Sequence, residues 1–66
     1  MSIAVKIAQA REAAGLSQKE LAARMGTTLQ AISRLESGNC SYTLRTLAKI
    51  AEVTGTRLKI DLVPLS

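Results

Sequence analysis

Apolar side chains recur along the first part of the chain at Ile3, Ile7, Ala10 and Ala14. Spacings of four, three and four make one stripe of a helix over 2–14, which Gly15 ends. Lys6, Gln9 and Glu12 supply its solvated face, and Arg11 sits beside the stripe. From Leu16 onward the pattern shortens. Ser17-x-x-Glu20 has the form of a capping box, in which serine oxygen and glutamate carboxylate each satisfy a free backbone N–H. Leu21, Ala22 and Met25 follow on one side, and Gly26 comes where a helix C-terminus needs a left-handed residue. Thr27 or Thr28 restarts the chain as a new N-cap, and Ile32 and Leu35 extend the inner face. The pattern predicts two short helices, 18–25 and 28–36, joined by a tight turn. Gln18, Lys19, Arg24, Leu29, Gln30, Ser33 and Arg34 are left pointing outward.

Ser37-Gly38-Asn39-Cys40-Ser41 is a cluster of turn formers. A fourth helix is predicted from 42 or 43 to 53, with Leu44, Leu47, Ala48, Ile50 and Ala51 at helical spacing, Ser41 or Thr43 as its cap and Gly55 beyond its end. After Gly55 the period changes to two, with Leu58, Ile60 and Leu62 on one side of a segment that Pro64 stops. That alternation predicts a strand over 57–62. A lone strand in a helical monomer leaves its N–H and C=O groups unpaired, so the simplest expectation is an antiparallel pair with the same strand of a second copy about a two-fold axis. Residues 1–55 then form the helical part and 56–66 a dimerisation strand of the same domain.

Sixty-six residues make one domain, and a domain this small buries only about 60% of the surface that its unfolded chain exposes. A second chain would add to its stability. The apolar content is Ala, Leu and Ile with one Tyr and no Phe or Trp, which suits short helices in close contact. A net charge of +4 favours polyanionic partners. Cys40 is the single cysteine and there is no histidine, so no cofactor or metal site is expected. Cys40 reads as a tolerated small side chain. The sequence has neither a membrane-length apolar run nor a signal-peptide core, and cytoplasmic residence is the expectation. Glu12, Glu20, Glu36 and Asp61 each have a structural or solvated explanation, and no phosphate-cradling glycine loop is present. An enzyme is not expected.

The ordered run Arg11-Glu12-x-x-Gly15-Leu16-Ser17-Gln18-x-Glu20-Leu21-Ala22, then Gly26-Thr27-Thr28, then Ile32-Ser33-Arg34-Leu35-Glu36-Ser37-Gly38, resembles the Cro/repressor-type (XRE-like) helix-turn-helix family. The likeness covers about four-fifths of the chain. It implies a mainly α, lambda-repressor-like domain of four helices, here followed by a C-terminal β-strand. It implies that 28–36 is the recognition helix, laid in the major groove of double-stranded DNA by its N-terminal end. Leu29, Gln30, Ser33 and Arg34 would then face base edges. Gln pairs bidentately with adenine, Arg with guanine, and Ser with several bases. Leu29 departs from the polar residue often found there in phage repressors; it would meet a thymine methyl or only shield the contact.

The same resemblance directs Gln18 to a phosphate and to the recognition helix's own glutamine, here Gln30. Thr28 is expected to be a phosphate ligand as well as a cap, and Asn39, Thr43 and Arg45 are weaker phosphate candidates. Arg11 and Glu36 would form a partly buried ion pair that ties the first helix to the end of the third. The alternating segment with Leu58, Ile60 and Leu62 resembles the HipB-type antitoxin branch, whose C-terminal strands form a two-stranded intermolecular sheet. The resulting expectation is a homodimeric repressor on a palindromic operator. The alternative is an antitoxin that also binds and neutralises a toxin protein and represses its own operon.

Overall fold

The structure, a computed structural model, describes residues 2–59, 62 and 64. Four helices follow one another: α1 (Ile3–Ala13), α2 (Gln18–Met25), α3 (Leu29–Ser37) and α4 (Leu44–Thr54). Each begins on a hydroxyl residue in extended conformation whose side-chain oxygen accepts from the amide three residues on: Ser2 from Val5, Ser17 from Glu20, Thr28 from Ala31 and Thr43 from Thr46. Such a cap contributes about 1 kcal/mol, which matters for helices of only 8 to 11 residues. At α2 the box is reciprocal, with Glu20 N–H donating to Ser17 Oγ at 3.0 Å and Ser17 N–H donating to Glu20 Oε1 at 2.9 Å. The amide of Ser17 is also the main reason that the Glu20 carboxyl pKa is lowered.

The turn between α2 and α3 rests on Gly26, whose φ of 70° lies in the left-handed region. This lets the Thr27 amide reach back to the Ala22 carbonyl at 2.9 Å and closes the end of α2. Thr28 then recaps the chain in a new direction. Helices α3 and α4 each pack on both α1 and α2. The core is Ile7, Leu16, Leu21, Ala22, Ile32, Leu35 and Ile50, with Leu21 and Ile32 fully enclosed. Met25, Cys40, Tyr42, Leu47 and Val53 close over it. Tyr42 reaches the core with its ring and donates its hydroxyl to the Leu35 carbonyl at 2.6 Å. Removal of that phenol from water is the leading cause of its raised pKa.

The buried stripe of α1 differs from the pattern-based one. Ala4 and Ile7 are buried, whereas Ile3 is 46% exposed and Ala14 is on the surface. The helix is rotated so that Ala4, Ile7 and Arg11 share the inner face. Arg11 can lie there because a carboxylate neutralises it, and Ala4 because a small residue admits the Gly38 turn, where an added Cβ would stand 3.9 Å from that of Ala4. In α4, Ile50 and Ala51 are buried, Leu47 is half-buried, and Ala48 and Leu44 are exposed. Thr43, rather than Ser41, is the cap.

No strand is present among the described residues. Arg57, Leu58, Lys59 and Leu62 carry no regular secondary structure, with Leu58 half-buried and Leu62 93% exposed. Ile60 and Asp61, the centre of the expected strand, lie outside the described residues.

Candidate nucleic-acid interface

The outward face of α3 is set by what its inner face must do. With about 100° between successive residues, the buried pair Ile32 and Leu35 points Gln30 and Ser37 directly away from the core. Ser33 flanks them on one side and Arg34 on the other. Gln30, Ser33, Arg34 and Ser37 are all exposed. Leu29 lies round toward the side that carries Glu36 and is 44% exposed. Ser37 was not singled out by sequence; its Oγ donates to the Arg34 carbonyl at 3.0 Å, which caps the last turn.

The orientation of this rod is held by one polar knot. Arg11 Nε donates to Glu36 Oε2 at 2.7 Å and its Nη2 to Oε1 at 3.1 Å, the two-pronged match of a guanidinium to a carboxylate. The third nitrogen, Nη1, donates to the Leu16 carbonyl at 2.8 Å, so the cation also fixes the α1–α2 connection. The side chains are only 15% and 7% exposed for Arg11 and Glu36. The hydrogen bond that Arg11 donates to Glu36 is the largest influence on the Arg11 guanidinium, whose pKa is raised.

Gln18 joins the same knot: its Nε2 donates to Glu36 Oε1 at 3.0 Å. The expected pairing of Gln18 with Gln30 is replaced by this contact. The reason is electrostatic, since a largely buried carboxylate is a stronger acceptor than an exposed amide. One Nε2 proton is thereby used, and the second remains on the half-buried Gln18 at the start of α2, beside the open N–H groups of that helix.

Thr28 Oγ1 accepts from the Ala31 amide at 3.1 Å, an arrangement that leaves the hydroxyl proton free for an anion. At the start of α4 the arrangement differs. Thr43 Oγ1 accepts from the Thr46 amide and donates its proton to Thr46 Oγ1 at 2.9 Å. The hydroxyl with a free proton at this end is therefore that of Thr46, three residues further on than the sequence suggests. Asn39 is exposed in the α3–α4 connection.

Between α3 and α4 lies a cleft of about 390 Å³ that brings together Arg34, Arg45 and Lys49, with Thr27 and Thr46 beside them. No carboxylate lines it among the described residues. Lys49 and Thr46 were missed by sequence, although Arg45 and Lys49 stand four apart and so share one face of α4. Cys40 also borders the cleft, half-buried, its Sγ 3.8 Å from the Arg34 carbonyl. Among the described residues no group of histidine, cysteine and carboxylate side chains is arranged to hold a metal ion, and no helix is long and apolar enough to cross a membrane.

A family model described as helix-turn-helix matches residues 7–60. No curated protein matches the chain at a significant level.

Proposed function

Because the chain belongs to the Cro/repressor-type helix-turn-helix family, and so is a sequence-specific DNA-binding regulator of transcription, we propose that it acts as a homodimeric repressor reading a palindromic operator with α3. The observation that carries this reading is the division of α3: Ile32 and Leu35 are sealed in the core while Gln30, Ser33 and Arg34 stand exposed and free to hydrogen-bond. The Arg11–Glu36–Gln18 knot holds the rod in one orientation before DNA arrives, so little ordering entropy is lost on binding. Gln30 reads adenine and Ser33 a neighbouring base, and Leu29 meets a thymine methyl at the edge of the contact.

Phosphates on either side are held by Gln18 and Thr28 at one end and by Asn39, Arg45, Lys49 and Thr46 at the other, with Thr43 positioning the Thr46 hydroxyl. Arg34 stands where the reading face meets the basic cleft, in reach of a guanine or of the backbone. The segment with Leu58, Ile60 and Leu62 joins two copies, which sets the two α3 rods about one helical turn, ~34 Å, apart.

The test is a binding-site selection on random duplexes with the wild type and with Gln30→Ala and Arg34→Ala. The expected product is a palindrome in which each variant relaxes one position per half-site, by roughly 1–3 kcal/mol of preference. A non-palindromic product removes the two-fold reading. If Arg34→Ala weakens all sequences alike, Arg34 is a phosphate ligand and not a reader.

A further inference from the structure

A second concavity, of about 560 Å³, lies between α1 and α4 and is closed at one side by residues 56–59. None of its lining comes from α2 or α3, so it is separate from the reading face. Its walls are apolar and its ends stand open to water: Ile3 is 46% and Leu44 62% exposed. Leu58 leans over it from the C-terminal side. An apolar surface of this kind, bordered by polar residues, marks an interaction site.

Two features say what fits. Along α1 the apolar lining runs Ile3, Ile7, Ala10 and along α4 Leu44, Leu47, Ala51. Each run covers about two turns, or ~10 Å, the length over which a guest helix presents anchors at i, i+3 or i+4, and i+7. The charged residues that line it, among those described, are Lys6, Arg57 and Lys59, all positive. We propose that the groove docks an amphipathic helix of another protein, apolar along one stripe and carrying carboxylates on its flanks. A second copy of this chain is the poorer occupant of the α1–α4 floor: the proposed dimer joins its copies through the segment from Leu58 onward, and a further two-fold contact along α1 would add like-charge contacts at Lys6. Since the lining shares nothing with α3, the guest and DNA bind together.

The test uses the full chain, isotope-labelled, and two synthetic helix-forming peptides with leucine at i, i+3 and i+7, one flanked by glutamates and the other by lysines. The acidic peptide is expected to shift amide resonances of α1 and α4 and to bind at least roughly tenfold more tightly than the basic one. Leu44→Ser, at an exposed position outside the core, is expected to weaken it by a similar factor while helix content and operator binding stay unchanged. The double variant Lys6→Glu, Lys59→Glu is expected to reverse the preference between the peptides. Equal binding of both peptides, no binding, or shifts confined to α2 and α3 overturns the proposal; the last result would mean that the acidic peptide only mimics DNA. Decanoate occupying the groove more tightly than the peptide would assign it to a small amphiphile instead. A wild type that sediments as a dimer, excludes the peptide and becomes monomeric on Leu44→Ser would make it a subunit contact.

Discussion

Replacing Glu36 with alanine tests whether the knot beneath α3 is structural. The carboxylate accepts three hydrogen bonds, two from Arg11 at 2.7 and 3.1 Å and one from Gln18 at 3.0 Å. Its loss leaves Arg11, whose side chain is 15% exposed in the intact protein, with only the Leu16 carbonyl as partner. Removing one member of a largely buried pair costs about 3–5 kcal/mol, because the remaining charge is neither paired nor well hydrated. A domain of 66 residues has a total stability of roughly 3–10 kcal/mol at the usual per-residue value. Glu36→Ala should therefore remove a third or more of it, and the loss should persist in high salt, which screens enclosed charges poorly.

Glu36→Gln, which keeps an acceptor but not the charge, should lose less. The double change Arg11→Met, Glu36→Leu should return to within about 1–2 kcal/mol of the wild type, since an apolar pair of similar volume avoids the desolvation of both ions. Urea unfolding followed by far-ultraviolet circular dichroism gives the stability of the wild type and of each of these three variants. If Glu36→Ala costs less than about 1 kcal/mol, the pair behaves as an exposed ion pair and the account of how α3 is oriented fails.

The capping box gives α2 an acid-sensitive start. The folded-state pKa of Glu20 lies below its ordinary value of 4.5, so its contribution is complete above that value and disappears as pH falls through the lower one. Acid titrations of stability should show the wild type losing ground to Glu20→Gln only below about pH 4.5; parallel curves would mean that the carboxylate is not engaged. Tyr42 is the only tyrosine, so phenolate absorbance reports it alone. Its midpoint should lie above 10.0 in the folded protein and return to that value in urea, and the stability linked to it should be present below 10.0 and lost as pH rises through the higher folded value. Arg45→Ala and Lys49→Ala should each lower the slope of log affinity against log salt by about one without changing which sequence is selected. An unaltered slope for Lys49→Ala would remove the cleft from the DNA contact.

Much of the local architecture is legible along the chain because helix ends are decided by neighbouring residues. Hydroxyl caps at Ser17, Thr28 and Thr43 and a left-handed glycine at Gly26 satisfy backbone groups within three or four positions, so the bounds of α2 follow from its own residues. The inner residues Leu21, Ala22, Ile32 and Leu35 follow from the same short-range pattern. The face of α1 that turns inward is not decided locally. Ile3 is the larger apolar residue, yet Ala4 is buried, because the rotation of α1 is set by Arg11 reaching Glu36, 25 positions away, and by the Gly38 turn that rests on Ala4.

The same holds for the functional surface. That Gln30, Ser33 and Arg34 point outward follows from the period of α3 alone. That Gln18 gives a proton to Glu36 rather than to Gln30, that Thr46 rather than Thr43 holds the free hydroxyl proton, and that Lys49 joins Arg34 and Arg45 in one cleft depended on which helices meet. Caps, turns and periodicity are properties of a few consecutive residues, so where helices start, stop and turn an apolar side can be read along the chain. Hydrogen-bond partners and charge clusters are drawn from distant parts of the chain, and only tertiary packing, which brings four short helices onto one small core, decided them.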